Sequence, residues 1–243
     1  MVLVVGSALM STACSGSGPG AATPQTATTA RQTWAASTRP RVRSPYTTIV
    51  AQARVAEVAV YASPRGRDAR LRVRRSQPHA PLIFVVLTSE RGWLRVLLPV
   101  RPNGSSGWIR SGDVGLSQHE FHIVVELAAH RITVYERANI IDQEPIGVGK
   151  AQTPTPGGVY YTKELLQPKD PSGIYGPFAY QLSGFSDVVT NFNGGTGVIG
   201  IHGTNEPWLI GRDVSHGCIR MSNAGITRLA HLLPLGVPVK IRR

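Results

Sequence analysis

The residues best suited to chemistry lie in one segment, IHGTNEPWLIGRDVSHGCIRM at positions 201–221. Cys218 follows Gly217 there, and two histidines, His202 and His216, precede it. A cysteine attacks as its thiolate, so a nearby imidazole that accepts the thiol proton makes it a nucleophile. The segment therefore predicts covalent catalysis by Cys218.

The cysteine content bears on the same question. The chain contains two cysteines, Cys14 and Cys218. If Cys14 is lipidated or removed with an export signal, Cys218 has no disulfide partner within the chain. A lone thiol outside the cytoplasm is exposed to oxidation and needs a role. The two interpretations are a nucleophile and a small buried hydrophobe.

The two histidines are not equivalent as candidate bases. His202 ends a predicted strand and returns to Cys218 through a loop, as nucleophile–base partners commonly do, so we expect it to be the base. His216 shares a face with Cys218 only if the segment is extended. Gly217 permits a backbone conformation that other residues avoid, and N–H groups around it are expected to face a developing oxyanion. The Gly203 carbonyl is expected to accept the other imidazole N–H and to fix the tautomer.

Strands are predicted to position these residues. FHIVVEL and RITVYE alternate as a hairpin, and FAYQLSGF, GVIGIHG and GVPVKI predict further strands. The proline- and glycine-rich stretch 165–177 predicts a long loop. Apolar residues at helical spacing in SNAGITRLAHLLP predict a helix with Ser222 or Asn223 as its N-cap and Pro234 beyond its end. Residues 118–243 are therefore predicted to form a mainly β domain with one or two short helices.

The preceding residues divide into three segments. Residues 1–14 are apolar and end in small residues before Cys14, which is typical of a bacterial export signal of the lipoprotein type. Residues 15–44 are rich in Ser, Thr, Gly and Pro and predict a flexible tether. Residues 45–117 contain short alternating strands and an Asn-Gly turn, which predict a small β-barrel. Its Gly-Trp strands, at Trp93 and Trp108, resemble those of bacterial SH3-like domains, although core packing also explains both tryptophans.

The net charge constrains the partners. The formal charge is +12, carried mostly by arginine. Such a surface suits nucleic acid, phospholipid head groups or an acidic wall polymer. Export makes nucleic acid an unexpected partner, so we expect an anionic cell-wall or membrane surface. The expected location is the cell envelope outside the cytoplasmic membrane, either lipid-anchored or secreted.

The segment HGTNEPWLIGRDVSHGCIRM resembles, almost position for position, the signature of the bacterial L,D-transpeptidase catalytic domain, and TPTPGGVYY and YGPFAYQLSGF resemble its flanks. The resemblance covers residues 118–243. It implies a β-sandwich that holds the cysteine in a cleft beneath a lid. It also implies that Cys218 is the nucleophile, His202 the general base and His216 the motif histidine. The implied activity is 3→3 cross-linking of peptidoglycan stem peptides through a thioester with release of D-Ala, inhibited covalently by carbapenem β-lactams.

Two further candidates in the motif carry alternatives. Arg220 either holds a substrate carboxylate or forms an ion pair with Asp213. Ser215 either orients His216 through its hydroxyl group or shapes the turn.

Three candidates outside the motif core also have competing interpretations. Thr204 either caps the loop after His202 or contacts substrate. Tyr175 and Tyr180 flank the expected lid and either line the cleft or pack in the core. We expect no cofactor and no metal, because the spaced pair His119 and His122 lacks accompanying ligands.

Three other functions compete with cross-linking. The same site would act as an L,D-carboxypeptidase if water replaced the acceptor amine. A non-catalytic wall-binding protein would rely on the SH3-like unit alone. A cysteine peptidase is disfavoured, because its cysteine is expected early in the domain with the histidine downstream.

Overall fold

The computed structural model describes residues 44–191 and 195–243. The predicted export signal, residues 1–14, and the predicted tether, apart from Ser44, lie outside the described residues. Within the described part, no helix has the length and apolar character needed to cross a membrane.

The N-terminal β unit, residues 44–119, is made of seven short strands. Five of them form an antiparallel sheet of order β6-β5-β4-β1-β7, and β2 and β3 form a separate hairpin. Alternate side chains of these strands are buried around Phe84, Val96 and Ile109. Assignment of this unit to the SH3-like class remains a prediction. The strands are β1 Thr48–Ala53, β2 Glu57–Val60, β3 Leu71–Arg74, β4 Ile83–Glu90, β5 Trp93–Leu97, β6 Ser106–Arg110 and β7 Val114–His119.

In the C-terminal β unit, the described residues 121–191 and 195–243 form ten strands and one α-helix. Eight strands form a sheet of order β10-β9-β8-β17-β12-β13-β14-β16, and β11 pairs with β15. The prediction of a mainly β fold is confirmed. The elements are β8 Phe121–Glu126, β9 Arg131–Glu136, β10 Asn139–Pro145, β11 Val148–Gly149, β12 Gly158–Leu166, β13 Ala179–Phe185, β14 Val198–His202, β15 Asp213–Ser215, β16 Ile219–Arg220, α1 Asn223–Leu232 and β17 Pro238–Arg242. Short 3₁₀ helices span Ser111–Asp113 and Pro207–Leu209.

The eight-stranded sheet curls around one apolar core. Gly147, which follows β10 at one end of the sheet, exchanges two backbone hydrogen bonds with Arg220 of β16 at the other end. Apolar residues from both halves of the sheet therefore meet in a single cluster that includes Val134, Leu182 and Ile201. The curling gives a sandwich-like core and leaves the outer face of β13 and β14 available for a cleft.

Helix α1 closes one side of this core. The Ser222 hydroxyl accepts a hydrogen bond from the Gly225 N–H at 2.9 Å, so Ser222 is the N-cap. Ile226 and Leu229 are buried against the sheet, and the helix ends two residues before Pro234. The predicted helix is confirmed.

The two β units share buried contacts. Tyr161 of β12 lies in an apolar cluster with residues of the N-terminal unit, and its hydroxyl donates a 2.8 Å hydrogen bond to the Ile83 carbonyl. Strand β7 continues to His119, past the predicted boundary after residue 117, and only Glu120 separates it from β8. Residues 42–243 accordingly form one compact unit.

Candidate active site

Two adjacent parallel strands position the predicted nucleophile and base. Ile201 of β14 pairs with Ile219 of β16, and His202 pairs with Arg220. Both isoleucines are fully buried in the core. Because side chains alternate along a strand, His202 and Cys218 project from the opposite face, where they are diagonal neighbours.

That face opens into a cleft of about 700 Å³. Its lining includes the predicted residues Cys218, His202, His216, Arg220 and Tyr175. Residues of β12, β13 and β14, of the loops that follow β12 and β13, and Ser76 of the N-terminal unit also line it. The sequence-predicted nucleophile and both candidate bases are therefore brought to one cavity.

His202 is buried and held by one backbone contact. Its side chain is 5% exposed, and its Nδ1 donates a 2.6 Å hydrogen bond to the Gly203 carbonyl. This predicted contact is present, and it leaves Nε2 as the proton acceptor. Burial lowers the pKa of His202 to about 4, against the Gly203 contact, which raises it, while the charge of Arg220 lowers it further. The Tyr175 ring meets the imidazole edge-on, with ring centroids 5.1 Å apart.

Cys218 lies half-buried where the chain enters β16. Burial raises the pKa of its thiol, although a backbone contact with Gly200 and the charge of Arg220 act in the opposite direction. With the pKa of the imidazole lowered and that of the thiol raised, the resting pair is neutral at physiological pH. Proton transfer from Cys218 to His202 therefore belongs to the chemical step and does not precede it.

The turn before Cys218 is shaped by Ser215. Gly217 has a φ of +115°, a conformation that favours glycine, as predicted. Its N–H donates to the Ser215 hydroxyl at 3.1 Å, and that hydroxyl donates to the Cys218 carbonyl at 2.5 Å. The Gly217 N–H is therefore not available to stabilise an oxyanion, contrary to expectation. Of the two N–H groups predicted for that role, only the one of Cys218 is left. Of the two interpretations of Ser215, the structure supports the shaping of the turn.

Arg220 is paired, but not with the predicted partner. Its Nη1 lies 2.7 Å from Glu206 Oε2. Asp213 instead contacts Nε2 of His130 at 2.8 Å, so the predicted Arg220–Asp213 pair is wrong. The Nε of Arg220 is buried and has no hydrogen-bond partner among the described residues, so a role toward substrate stays a prediction.

Two of the remaining candidates have structural contacts. Thr204 is buried, and its hydroxyl accepts the Glu206 N–H at 3.0 Å, which caps the loop after β14. Tyr180 is 1% exposed, and its hydroxyl donates to the carbonyls of Leu229 and Leu233 at 3.1 Å. Its hydroxyl is therefore held by the C-terminal part of α1, which supports the packing interpretation, while Tyr180 also lines the cleft and a substrate contact stays a prediction.

Gly200 and Lys163 are among the cleft residues that the sequence reasoning missed. Gly200, between the buried Ile199 and Ile201, lines the cleft, and an added Cβ there would lie 2.8 Å from the Tyr180 carbonyl oxygen. Its place in the strand GVIGIHG, where a glycine is otherwise unfavourable, was the available signal. Lys163 also lines the cleft, and nothing in its sequence surroundings indicates this. Among the described residues, no group of three or more His, Cys, Asp or Glu side chains is placed to hold a metal ion.

Comparison with known proteins identifies relatives of the C-terminal unit. The YkuD family of L,D-transpeptidase catalytic domains matches residues 120–241. The YkuD protein of Bacillus subtilis is 36% identical over 123 residues, which cover 51% of this chain and 66% of that protein, so the match spans just under two thirds of it. YkuD of Bacillus licheniformis is 33% identical over 154 residues, 60% of this chain and 85% of that protein. A solved L,D-transpeptidase from Mycobacterium smegmatis aligns with a TM-score of 0.44 and 18% identity over 81% of this chain and 99% of that one.

Proposed function

This chain belongs to the L,D-transpeptidase family, and we propose that it is a cysteine-dependent enzyme that forms 3→3 cross-links between peptidoglycan stem peptides. The observation that carries the proposal is the tautomer of His202, whose Nδ1–H is held by the Gly203 carbonyl. Nε2 is thereby kept as a base in the cleft that also holds the Cys218 thiol.

Acylation begins from the neutral pair. Nε2 of His202 accepts the thiol proton as Sγ of Cys218 attacks the carbonyl carbon of the diaminopimelate L-centre in a donor tetrapeptide. The carbonyl oxygen becomes an oxyanion, which the Cys218 N–H stabilises. The bond to D-Ala then breaks, and the departing amine takes the proton from the His202 imidazolium. Free D-Ala and a thioester on Cys218 result.

Transfer reverses the proton movements. A side-chain amine of a second stem peptide attacks the thioester carbon and gives one proton to His202 Nε2. The carbon–sulfur bond breaks, and the Cys218 sulfur recovers that proton. The products are a new amide bond between the two stems and the free enzyme. A thioester suits this exchange, because amines attack it readily.

Water attack on the same thioester would give an L,D-carboxypeptidase. In that reaction the products are D-Ala and a tripeptide with a free carboxylate. A non-catalytic wall-binding role is less consistent with the buried, oriented His202 beside an unpaired thiol. Carbapenems, which are acyl donors, are proposed to acylate Cys218 in the same way.

The proposed setting is the cell envelope. Export and a lipid anchor at Cys14 concern residues outside the described part of the chain and remain proposals. An anionic wall or membrane surface is supported by exposed arginines on the β2–β3 hairpin, including Arg67, Arg70 and Arg72. Anionic polymers attract such a surface over about 10 Å at ordinary ionic strength.

Product analysis tests the activity. The protein is incubated with disaccharide-tetrapeptides, and the products are separated and weighed by mass spectrometry. We expect D-Ala and cross-linked dimer in equal amounts, and neither with Cys218→Ala. Tripeptide without dimer would replace cross-linking by carboxypeptidase action, and absence of D-Ala with folded wild-type protein would contradict both.

A further inference from the structure

Four residues form a row across the floor of the cleft. Gln181 of β13 pairs with Gly200 of β14, and Cys218 lies one position before the Ile201–Ile219 pair of β14 and β16. On the other side of Gln181, the pairing of β12 with β13 shifts at Lys163. Lys163 and Cys218 therefore lie at opposite ends of one row.

A β-bulge brings Lys163 into this row. Thr162 pairs with Leu182 and Glu164 with Gln181, so Lys163 is an extra residue on β12. Glu164 is buried, and its carboxylate accepts a 2.8 Å hydrogen bond from Ser76 of the N-terminal unit. The Lys163 side chain lines the cleft together with Cys218. Because of the bulge, Glu164 contacts Ser76 while Lys163, its neighbour in sequence, lines the cleft.

Lys163 has no anionic partner in the cleft. The ammonium makes no hydrogen bond and no ion pair with any described residue, and the side chain is half-buried. Burial lowers the pKa of Lys163, while the nearby charge of Glu164 raises it. No Asp or Glu is among the described residues that line the cleft, and Arg220 is paired with Glu206. A half-buried cation without a partner favours an anionic ligand.

The distance to the thiol identifies which part of a substrate this cation meets. Three strand spacings place the backbones of Lys163 and Cys218 about 14 Å apart. Because side chains on one face stand roughly perpendicular to the sheet, the ammonium and Sγ keep a separation on the order of 10 Å. The D-Ala carboxylate, next to the scissile bond, is too close to the thiol for this contact. Carboxylates farther along the donor, on isoglutamate or on the diaminopimelate side chain, match the spacing.

We propose that Lys163 binds a carboxylate in the non-reacting part of the acyl donor and so selects free-acid donors over amidated ones. This inference rests on the proposed transpeptidase function. Binding energy from such a remote group positions the scissile carbonyl at Cys218. Lys163 is a specificity-determining residue and takes no part in proton transfer.

Donors of defined amidation test the proposal. Three tetrapeptide donors are compared: one with free carboxylates, one amidated at isoglutamate and one amidated at the diaminopimelate side chain. D-Ala release is measured with wild type, Lys163→Met, Lys163→Arg and the control Lys169→Met, which removes an exposed lysine outside the cleft. We expect Lys163→Met to lower kcat/KM for the free-acid donor about tenfold, mainly by raising KM. For one of the two amidated donors, we expect the same substitution to leave kcat/KM unchanged. That donor identifies which carboxylate Lys163 binds. Lys163→Arg retains most of the preference, and Lys169→Met all of it.

The controls separate this inference from the proposed function. Iodoacetamide, a neutral reagent, is used to alkylate Cys218 in every variant, and equal rates show an intact site. Equal losses of Lys163→Met on all three donors, or no acid preference in the wild type, would overturn the carboxylate contact while leaving the transpeptidase intact. Failure of wild type to release D-Ala from any donor, despite a reactive thiol, would instead refute the proposed function.

Discussion

At the scale of single residues, the protonation of His202 decides how the site works. Its burial and its bond to the Gly203 carbonyl make the neutral Nε2 base the resting form. A neutral imidazole with a lowered pKa is a weak base in water. It acts here because the proton it accepts comes from a thiol that is bonding to carbon in the same step. Because burial raises the pKa of the Cys218 thiol, little of it is thiolate in the resting state, and alkylation by a simple reagent is expected to be slow.

The pH dependence of acylation follows from this state. His202 must be neutral to accept a proton, so activity falls only when the pH drops below its folded pKa of about 4. We expect the rate of carbapenem acylation to be nearly constant from pH 7 to about pH 5 and to halve near pH 4. Stopped-flow loss of β-lactam absorbance measures it. An acid limb centred near 6.5, the ordinary value for histidine, would show that the imidazole is not desolvated.

The two histidines differ in their expected contribution. His202 is buried and oriented, whereas His216 is exposed at the cleft. Loss of a general base typically costs 10²- to 10⁴-fold. We expect His202→Ala to slow carbapenem acylation by about that factor and His216→Ala by less than tenfold. Circular dichroism controls for folding. Equal losses, or a larger loss for His216→Ala, would assign the base to His216.

Some of these residue roles follow from the sequence and others do not. The Gly203 contact is foreseeable, because a glycine directly after the histidine leaves an unshielded carbonyl close to the imidazole. The Arg220–Glu206 pair is not foreseeable, since Glu206 and Asp213 both lie between His202 and Cys218 in the sequence and only the folded path of the chain selects one. The loss of the Gly217 N–H to Ser215 likewise depends on the turn geometry.

At the scale of elements, the loop after β14 is held between α1 and the loop that joins β12 to β13. Gly176 and Gly203 pack backbone against backbone, and the Asn223 side chain at the start of α1 lies against both. The Asn223 amide oxygen accepts the Thr204 N–H at 2.8 Å. These contacts fix the position of the Gly203 carbonyl, which orients the His202 imidazole.

A methyl group at Gly203 is expected to disrupt the contacts of this loop with Gly176 and Asn223. Its Cβ would collide with the Asn223 amide oxygen and lie 3.0 Å from the Gly176 Cα. We expect Gly203→Ala to destabilise the fold by about 1–3 kcal/mol and to slow acylation. Chemical denaturation and acylation rates measure the two effects. The control is Gly112→Ala, where an added Cβ meets no atom within 4 Å. Equal stability of both variants would show that the contacts at Gly203 do not constrain the position of its carbonyl.

The elements themselves were largely predictable, and their irregularities were not. Period-two alternation identified the β8–β9 hairpin, and helical spacing with a serine cap identified α1. The bulge at Lys163 leaves no pattern, because a single inserted residue looks like ordinary strand sequence. Its effect on the cleft depends on which neighbour each strand has, which strand patterns do not encode.

At the scale of the molecule, the two β units are joined by a shared apolar cluster. Val50, Val85 and Leu97 of the N-terminal unit surround Tyr161 of the C-terminal unit. Ser76 of the N-terminal unit also lies at the edge of the cleft. Strand patterns and the resemblance predicted two units, but they could not predict this contact, because Tyr161 and Ile83 are 78 positions apart. The N-terminal unit therefore supports the cleft in addition to any wall-binding role.

Removal of the buried hydroxyl tests this coupling. Tyr161→Phe leaves the Ile83 carbonyl without its 2.8 Å partner in an apolar cluster. We expect a loss of about 1–2 kcal/mol in the free energy of unfolding, within a single transition for both units. Tyr135→Phe, where the hydroxyl is not part of this cluster, is the control. Two separate transitions in calorimetry would show that the units fold independently.

The most direct test of Cys218 as the nucleophile is intact-protein mass spectrometry of a protein that spans residues 44–243, after incubation with a carbapenem. The wild-type chain should gain one drug mass at stoichiometric yield, and the adduct should map to the peptide containing Cys218. Cys218→Ala, in which a small side chain replaces a half-buried thiol, should fold normally and gain nothing. A covalent adduct on Cys218→Ala, or no adduct on folded wild-type protein, would contradict catalysis by this cysteine.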